Sequence, residues 1–213
     1  MKSILEITHE IEQLVLAHYY SEDFELVSSM RAYVDRLPPE EREHARQVVL
    51  KRLLDEGSMV DILLCSVIDV PSAVPVLAAK LEREPVSNQV TRSLIAALRT
   101  YHTADAYTAV ERFVDSDQEM EAIEALAEID FRRTIPLLVR TMKKRHFHGP
   151  IMHILSRQAK VDGLDGLIQA LRDSSATRSA RFREDLQTLL ESKNGLYNPF
   201  TESDIQHILQ HIE

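Results

Sequence analysis

The chain has 213 residues, 44% of them hydrophobic, which is enough to bury a full core and a length that suits one domain or one repeat array. Only 6% are aromatic, there is no Trp and there are five glycines, a composition that disfavours sandwiches and barrels and points to an all-α chain. A formal charge of −9 argues against general affinity for nucleic acid or anionic membrane, and a single cysteine, Cys65, excludes an internal disulfide framework or a Cys-rich zinc site.

The amino-terminal MKSILEITHEIEQLVL carries Glu6, Glu10 and Glu12 among its apolar residues, so it reads as an amphipathic helix and not as a signal peptide. No apolar run approaches the roughly eighteen residues of a membrane span, and the expectation is a soluble cytoplasmic protein. The first helix is predicted from Ser3 to Tyr20, with Ile4, Ile7, Ile11, Leu14 and Val15 on one stripe. Ser21 and Asp23 offer caps for a second, where Phe24, Val27, Met30, Val34 and Leu37 lie close to one face. Pro38-Pro39 ends it, Glu40 and Glu41 open a third, and Gly57 is the expected left-handed stop. Cys65, in the apolar run from Ile62 with no neighbouring cation, reads as a small buried apolar residue.

From Ser58 onward the chain repeats. Segments starting at Ile62, Leu94, Ile123 and Met152 each read as a pair of short helices. In the second helix of each pair Val74, Tyr107, Ile135 and Leu164 correspond, then Leu77, Val110, Leu138 and Leu167, and finally Leu81, Val114, Met142 and Leu171. Ala78, Glu111, Val139 and Ile168 form a further column, broken once at Glu111. The clearest hairpin is Gln118 to Met142. Ser116 and Glu119 have the spacing of a capping box, the turn is predicted at Asp130 to Arg133, and Pro136 is expected in the first turn of the second helix. Met120, Ile123, Leu126 and Ala127 face Ile135, Leu138, Val139 and Met142. After Ser174 a helix is predicted from Thr177 to Lys193, then a turn at Asn194-Gly195, and a last helix introduced by Asn198-Pro199 and the T-x-x-D spacing of Thr201 and Asp204.

A period near thirty residues made of two helices, with second helices such as Ala73-Val74-Pro75-Val76-Leu77 and Thr134-Ile135-Pro136-Leu137-Leu138, resembles HEAT repeats of the short bacterial kind. The resemblance covers Ser58 to Ser174; Thr108 and Asp165 replace the proline in the second and fourth units. It implies a right-handed α-solenoid: a single domain over 1–213, with cap helices at 1–57, four repeats at 58–174 and closing helices at 175–213. It specifies a packing scheme and no chemistry.

Charge is distributed unevenly. Eight of the 25 basic residues and none of the 34 acids lie between Phe131 and Val161: Arg132, Arg133, Arg140, Lys143, Lys144, Arg145, Arg157 and Lys160. Arg140, Lys143 and Lys144 fall at i, i+3, i+4 opposite the apolar stripe, and the resemblance places second helices on the concave side. The segment is either a face compensating acidic neighbours or an anion-binding patch comprising Arg132, Arg133, Arg140, Lys143, Lys144, Arg145, His146 and His148. His146, His148 and His153 surround Gly149-Pro150, expected to break the helix; the adjacent cations oppose a metal, and the histidines read as part of the patch. His207 and His211 have the i, i+4 spacing of HExxH, but Ile208 stands where the Glu is required, so both read as surface residues.

Enzymes on HEAT-like scaffolds find little support. Diiron hydroxylases of this fold require repeated His-Glu pairs and only His9-Glu10 matches; bilin lyases share the repeat but the repeat carries no activity; nucleotide-binding glycine loops and G-x-S-x-G are missing. The reading is a non-catalytic interaction protein without cofactor or metal, binding a protein with an acidic surface. The alternative is a nucleic-acid-binding or DNA-glycosylase-like protein using the basic face, although such glycosylases carry tryptophans and this chain has none.

Overall fold

The computed structural model describes residues 1–17, 23–55, 57–83, 89–144, 147–191 and 199–212. These form twelve α-helices and, among the described residues, no strand. The expected all-α class is therefore met. The chain divides into two compact units, Met1–Gln118 and Glu119–Glu213, so the boundary falls between the second and third predicted repeats and not at either end of the repeat region.

The first unit holds α1 (Ile4–Ala17), α2 (Asp23–Asp35), α3 (Pro39–Asp55), α4 (Met59–Ile68), α5 (Val74–Arg83), α6 (Gln89–Leu98) and α7 (Ala104–Glu111). Helix α1 buries Ile7, Ile11 and Val15, whereas Ile4 at the edge of the predicted stripe is exposed. Met30, Tyr33, Val34 and Leu37 bury the inner side of α2 and its exit. Pro39 then opens α3, where its missing N–H costs nothing. The end predicted for α1 at Tyr20 and the Ser21 cap lie outside the described residues.

Gly57 adopts φ 59° and donates its amide to the Arg52 carbonyl at 3.1 Å. A Cβ there would meet the Lys80 side chain and lie 2.9 Å from the Leu53 carbonyl oxygen, so conformation and space both select glycine. Directly after it, Ser58 and Asp61 form a capping box at the start of α4. The fully buried Asp61 carboxylate accepts from the Ser58 amide (2.9 Å), the Ser58 hydroxyl (2.6 Å) and Arg52 Nε (2.8 Å), which is how an acid is accommodated in this core. Within the unit α4 packs on α2, α3 and α6, and α5 packs on α6 and α7. First helices thus lie on first helices and second on second. The buried Tyr101 hydroxyl ties the exit of α6 to α4, donating to the Cys65 carbonyl (2.6 Å) and accepting from the Val70 amide (3.3 Å).

The second unit holds α8 (Glu119–Ile129), α9 (Phe131–Thr141), α10 (His148–Asp173), α11 (Ala180–Glu191) and α12 (Glu202–His211). The turn between α8 and α9 is shorter than predicted: Asp130 alone forms it and caps α9, its Oδ1 accepting from the Arg133 amide at 3.0 Å. Pro136 consequently sits in the second turn of α9, exposed, and not in the first. The Ser116–Glu119 capping box does not form either. Ser116 Oγ accepts from the Gln118 amide (3.0 Å) and donates to the Phe113 carbonyl (2.7 Å), while the Glu119 carboxylate turns to Lys144.

Gly149-Pro150 begins α10 instead of breaking a helix, since proline in a first turn forfeits no intrahelical bond. Helix α10 is interrupted at Gly163, where φ 76° and ψ 167° depart from helical values and a side chain would be strained. It packs against α8, α9, α11 and α12. A 3-10 turn at Ser175–Thr177 precedes α11, so that helix starts three residues later than predicted. The predicted box at α12 is present, with the Asp204 amide donating to Thr201 Oγ1 (3.1 Å) and the Thr201 amide to Asp204 Oδ2 (2.8 Å). The predicted turn at Asn194-Gly195 lies outside the described residues. Of the three repeat columns that never break in sequence, every position is buried except the half-buried Leu164.

Candidate basic face

Helix α9 is strongly two-sided. Phe131, Thr134, Ile135, Leu138 and Thr141 are buried, and Arg132, Arg133, Pro136 and Arg140 are exposed. The cations of the segment follow from that register but meet different fates. Arg132 Nη1 pairs with Asp173 Oδ2 at 3.0 Å, both side chains being about half exposed. Lys144 is half-buried, with Nζ at 2.6 and 2.8 Å from the two carboxylate oxygens of Glu119 and 5.4 Å from the centre of the Phe147 ring. Arg157 pairs with Glu128.

Arg132, Lys144 and Arg157 are thus matched by acids that the sequence count left outside the segment, from α8 and from the end of α10. Arg133, Arg140, Lys143 and Lys160 present exposed side chains. Lys144 keeps 41% of its side chain exposed but lies on Glu119 of its own hairpin, whereas Arg140 and Lys143 are exposed. Arg145 and His146 lie outside the described residues.

His148 does not belong to a surface patch. It is 7% exposed, and its Nε2–H donates to the Met142 carbonyl at 3.1 Å. His153 is exposed on α10. No group of three or more His, Cys, Asp or Glu among the described residues is arranged to hold a metal ion. At the far end His207 Nε2 lies 2.9 Å from Asp165 Oδ1, and His211 Nδ1 donates to the His207 carbonyl at 2.9 Å. Cys65 is fully buried, and its burial, then the charge of Asp61, push the thiol up to about 12.

A second gathering of arginines escapes a search for acid-free segments. Arg172, Arg178 and Arg183 line a cleft of about 850 Å³ beside the 3-10 turn, with Asp173 and Glu184 interleaved in sequence. The spacing of arginines around a helix end, and not the absence of acids, is the signal for it. No helix among the described residues is long and apolar enough to cross a membrane. The chain matches no family model, no curated protein and no solved structure.

Proposed function

We propose that the protein is a non-catalytic interaction module, a HEAT-like right-handed α-solenoid that holds an acidic protein surface through the outward cations of α9. The stacking of α4 on α6 and of α5 on α7, together with the shared burial of the repeat columns, supports the HEAT-like reading. The observation that carries the binding role is exposure: Arg140 and Lys143 present exposed side chains at the end of α9 and in the turn that follows it, in a stretch from Phe131 to Val161 that holds no acid. Arg132, Lys144 and Arg157 pair with acids of the fold. Neutralisation also leaves fewer cations for phosphate contacts, and the acidic remainder of the chain repels a long duplex, so a protein partner is favoured over nucleic acid.

The test is retention of proteins from the source lysate on immobilised wild type and on the Arg140→Glu/Lys143→Glu variant, with a labelled DNA duplex titrated in parallel. A retained acidic protein lost in the variant supports the reading. Equal retention by both removes the basic face from it, and duplex binding that falls steeply with salt moves the protein to the nucleic-acid class.

A further inference from the structure

The cleft formed by the end of α10, the turn Ser175–Thr177 and the start of α11 lies within the second unit and uses neither Arg140 nor Lys143. Its volume, about 850 Å³, falls within the range of about 300–1,000 Å³ that suits a small molecule. Arg172 enters from the last turn of α10, Arg178 follows the 3-10 turn, and Arg183 comes from the first turn of α11. Three arginines therefore line one concavity from three consecutive pieces of backbone.

The acids that share the lining do not cancel this charge. Asp173 is held by Arg132 at 3.0 Å and by the Gln169 amide at 2.7 Å, which leaves Glu184 as the lining carboxylate not bound in that pair. Neither Arg172 nor Arg178 has an acidic partner among the described residues. The first turn of α11 carries no acid, so the positive end of its dipole adds to the arginines where an acidic residue would ordinarily offset it. Cations gathered in this way repel one another until an anion is bound. Ser179, at the mouth of α11, accepts the Phe182 amide at 3.2 Å on its hydroxyl oxygen, leaving the O–H to donate. Ala180 and Ile212 give the same cleft apolar surface, with the buried Phe182 packed behind it.

We infer that this cleft binds a small organic phosphate, with Arg172 and Arg178 forking onto the phosphate oxygens and the apolar surface taking the organic part. A guanidinium matches phosphate bidentately, and Arg172 and Arg178, the two lining arginines without an acidic partner among the described residues, are placed on one cavity.

Adenosine monophosphate, inorganic phosphate and adenosine, titrated calorimetrically into the full chain at constant ionic strength, test it. Saturable one-to-one binding of the nucleotide is expected, with weaker binding of phosphate and none of adenosine. Arg172→Gln/Arg178→Gln should weaken the nucleotide at least tenfold with an unchanged helical signal, and Arg140→Glu/Lys143→Glu should leave it unaltered. Because a variant can misfold, the Nε–H resonances of Arg172 and Arg178 in the wild type give an independent readout and should shift on nucleotide addition. Failure of every phosphate probe to bind at millimolar concentration, phosphate binding tighter than the nucleotide, unmoved arginine resonances, or loss of binding in the α9 variant would each overturn the assignment.

Discussion

Individual side chains here are governed by what lies near them in space, and the lysines at the end of α9 show it. Lys143 and Lys144 are adjacent in sequence, yet Lys143 is exposed while Lys144 lies on the Glu119 carboxylate, whose side chain is 14% exposed. Lys144→Glu places two carboxylates together and should lower stability by about 1 kcal/mol, whereas Lys143→Glu should stay within about 0.5 kcal/mol of wild type. Urea denaturation of the two variants measures the difference, and equal midpoints would contradict the assigned pair. Cys65 makes a comparable case. With its thiol buried and pushed up to about 12, alkylation of the native protein at pH 8 should be far slower than in denaturant, and the rate ratio reports whether the site opens. Prompt modification of the native protein would show that α4 is not packed as described.

At the scale of helices, Leu138 occupies the centre of α9 at 1% exposure, and Leu77, Val110 and Leu167, which correspond to it in sequence, are buried as well. Leu138→Ala should cost about 2–4 kcal/mol through lost burial and a residual cavity. A loss under about 0.5 kcal/mol in denaturant unfolding would place the residue at the surface. Helix α12 depends on its cap. The hydroxyl and then the amide of Thr201 hold the Asp204 carboxyl below its ordinary value of 3.8, so the box contributes fully above that value and is lost as pH falls through the lower folded value. Amide protection factors in α12, corrected for the intrinsic exchange rate at each pH, should therefore fall towards strongly acidic pH in the wild type and show little such dependence in Asp204→Asn. An equal pH response in the two would remove the cap from the account.

The repeat columns were legible because burial recurs at the same helical spacing in successive units, a local signal that needs no partner. Cap chemistry was legible only where nothing competed for it. Thr201 and Asp204 form the predicted box, but Glu119, spaced equally well from Ser116, is drawn away by a lysine 25 positions on. His148 was read with its charged neighbours in sequence, whereas the register of α10 turns it inward onto the Met142 carbonyl. The acids that neutralise Arg132 and Arg157 lie outside the stretch in which the charge was counted, at Asp173 and Glu128.

Taken as a whole, the chain combines an acidic total with exposed cations at the end of α9, and its two units are each assembled from helices that bury one stripe against their neighbours. On the proposed reading the stripe accounts for stability and the exposed cations for recognition, and the two are separable. The measurement that bears on this most directly is the affinity of a protein captured on the wild type, compared between wild type and Arg140→Glu/Lys143→Glu with the thermal midpoint of both recorded. The account predicts at least a tenfold loss of affinity, about 1.4 kcal/mol or more, with the midpoint essentially unchanged. Unchanged affinity in a folded variant would contradict it.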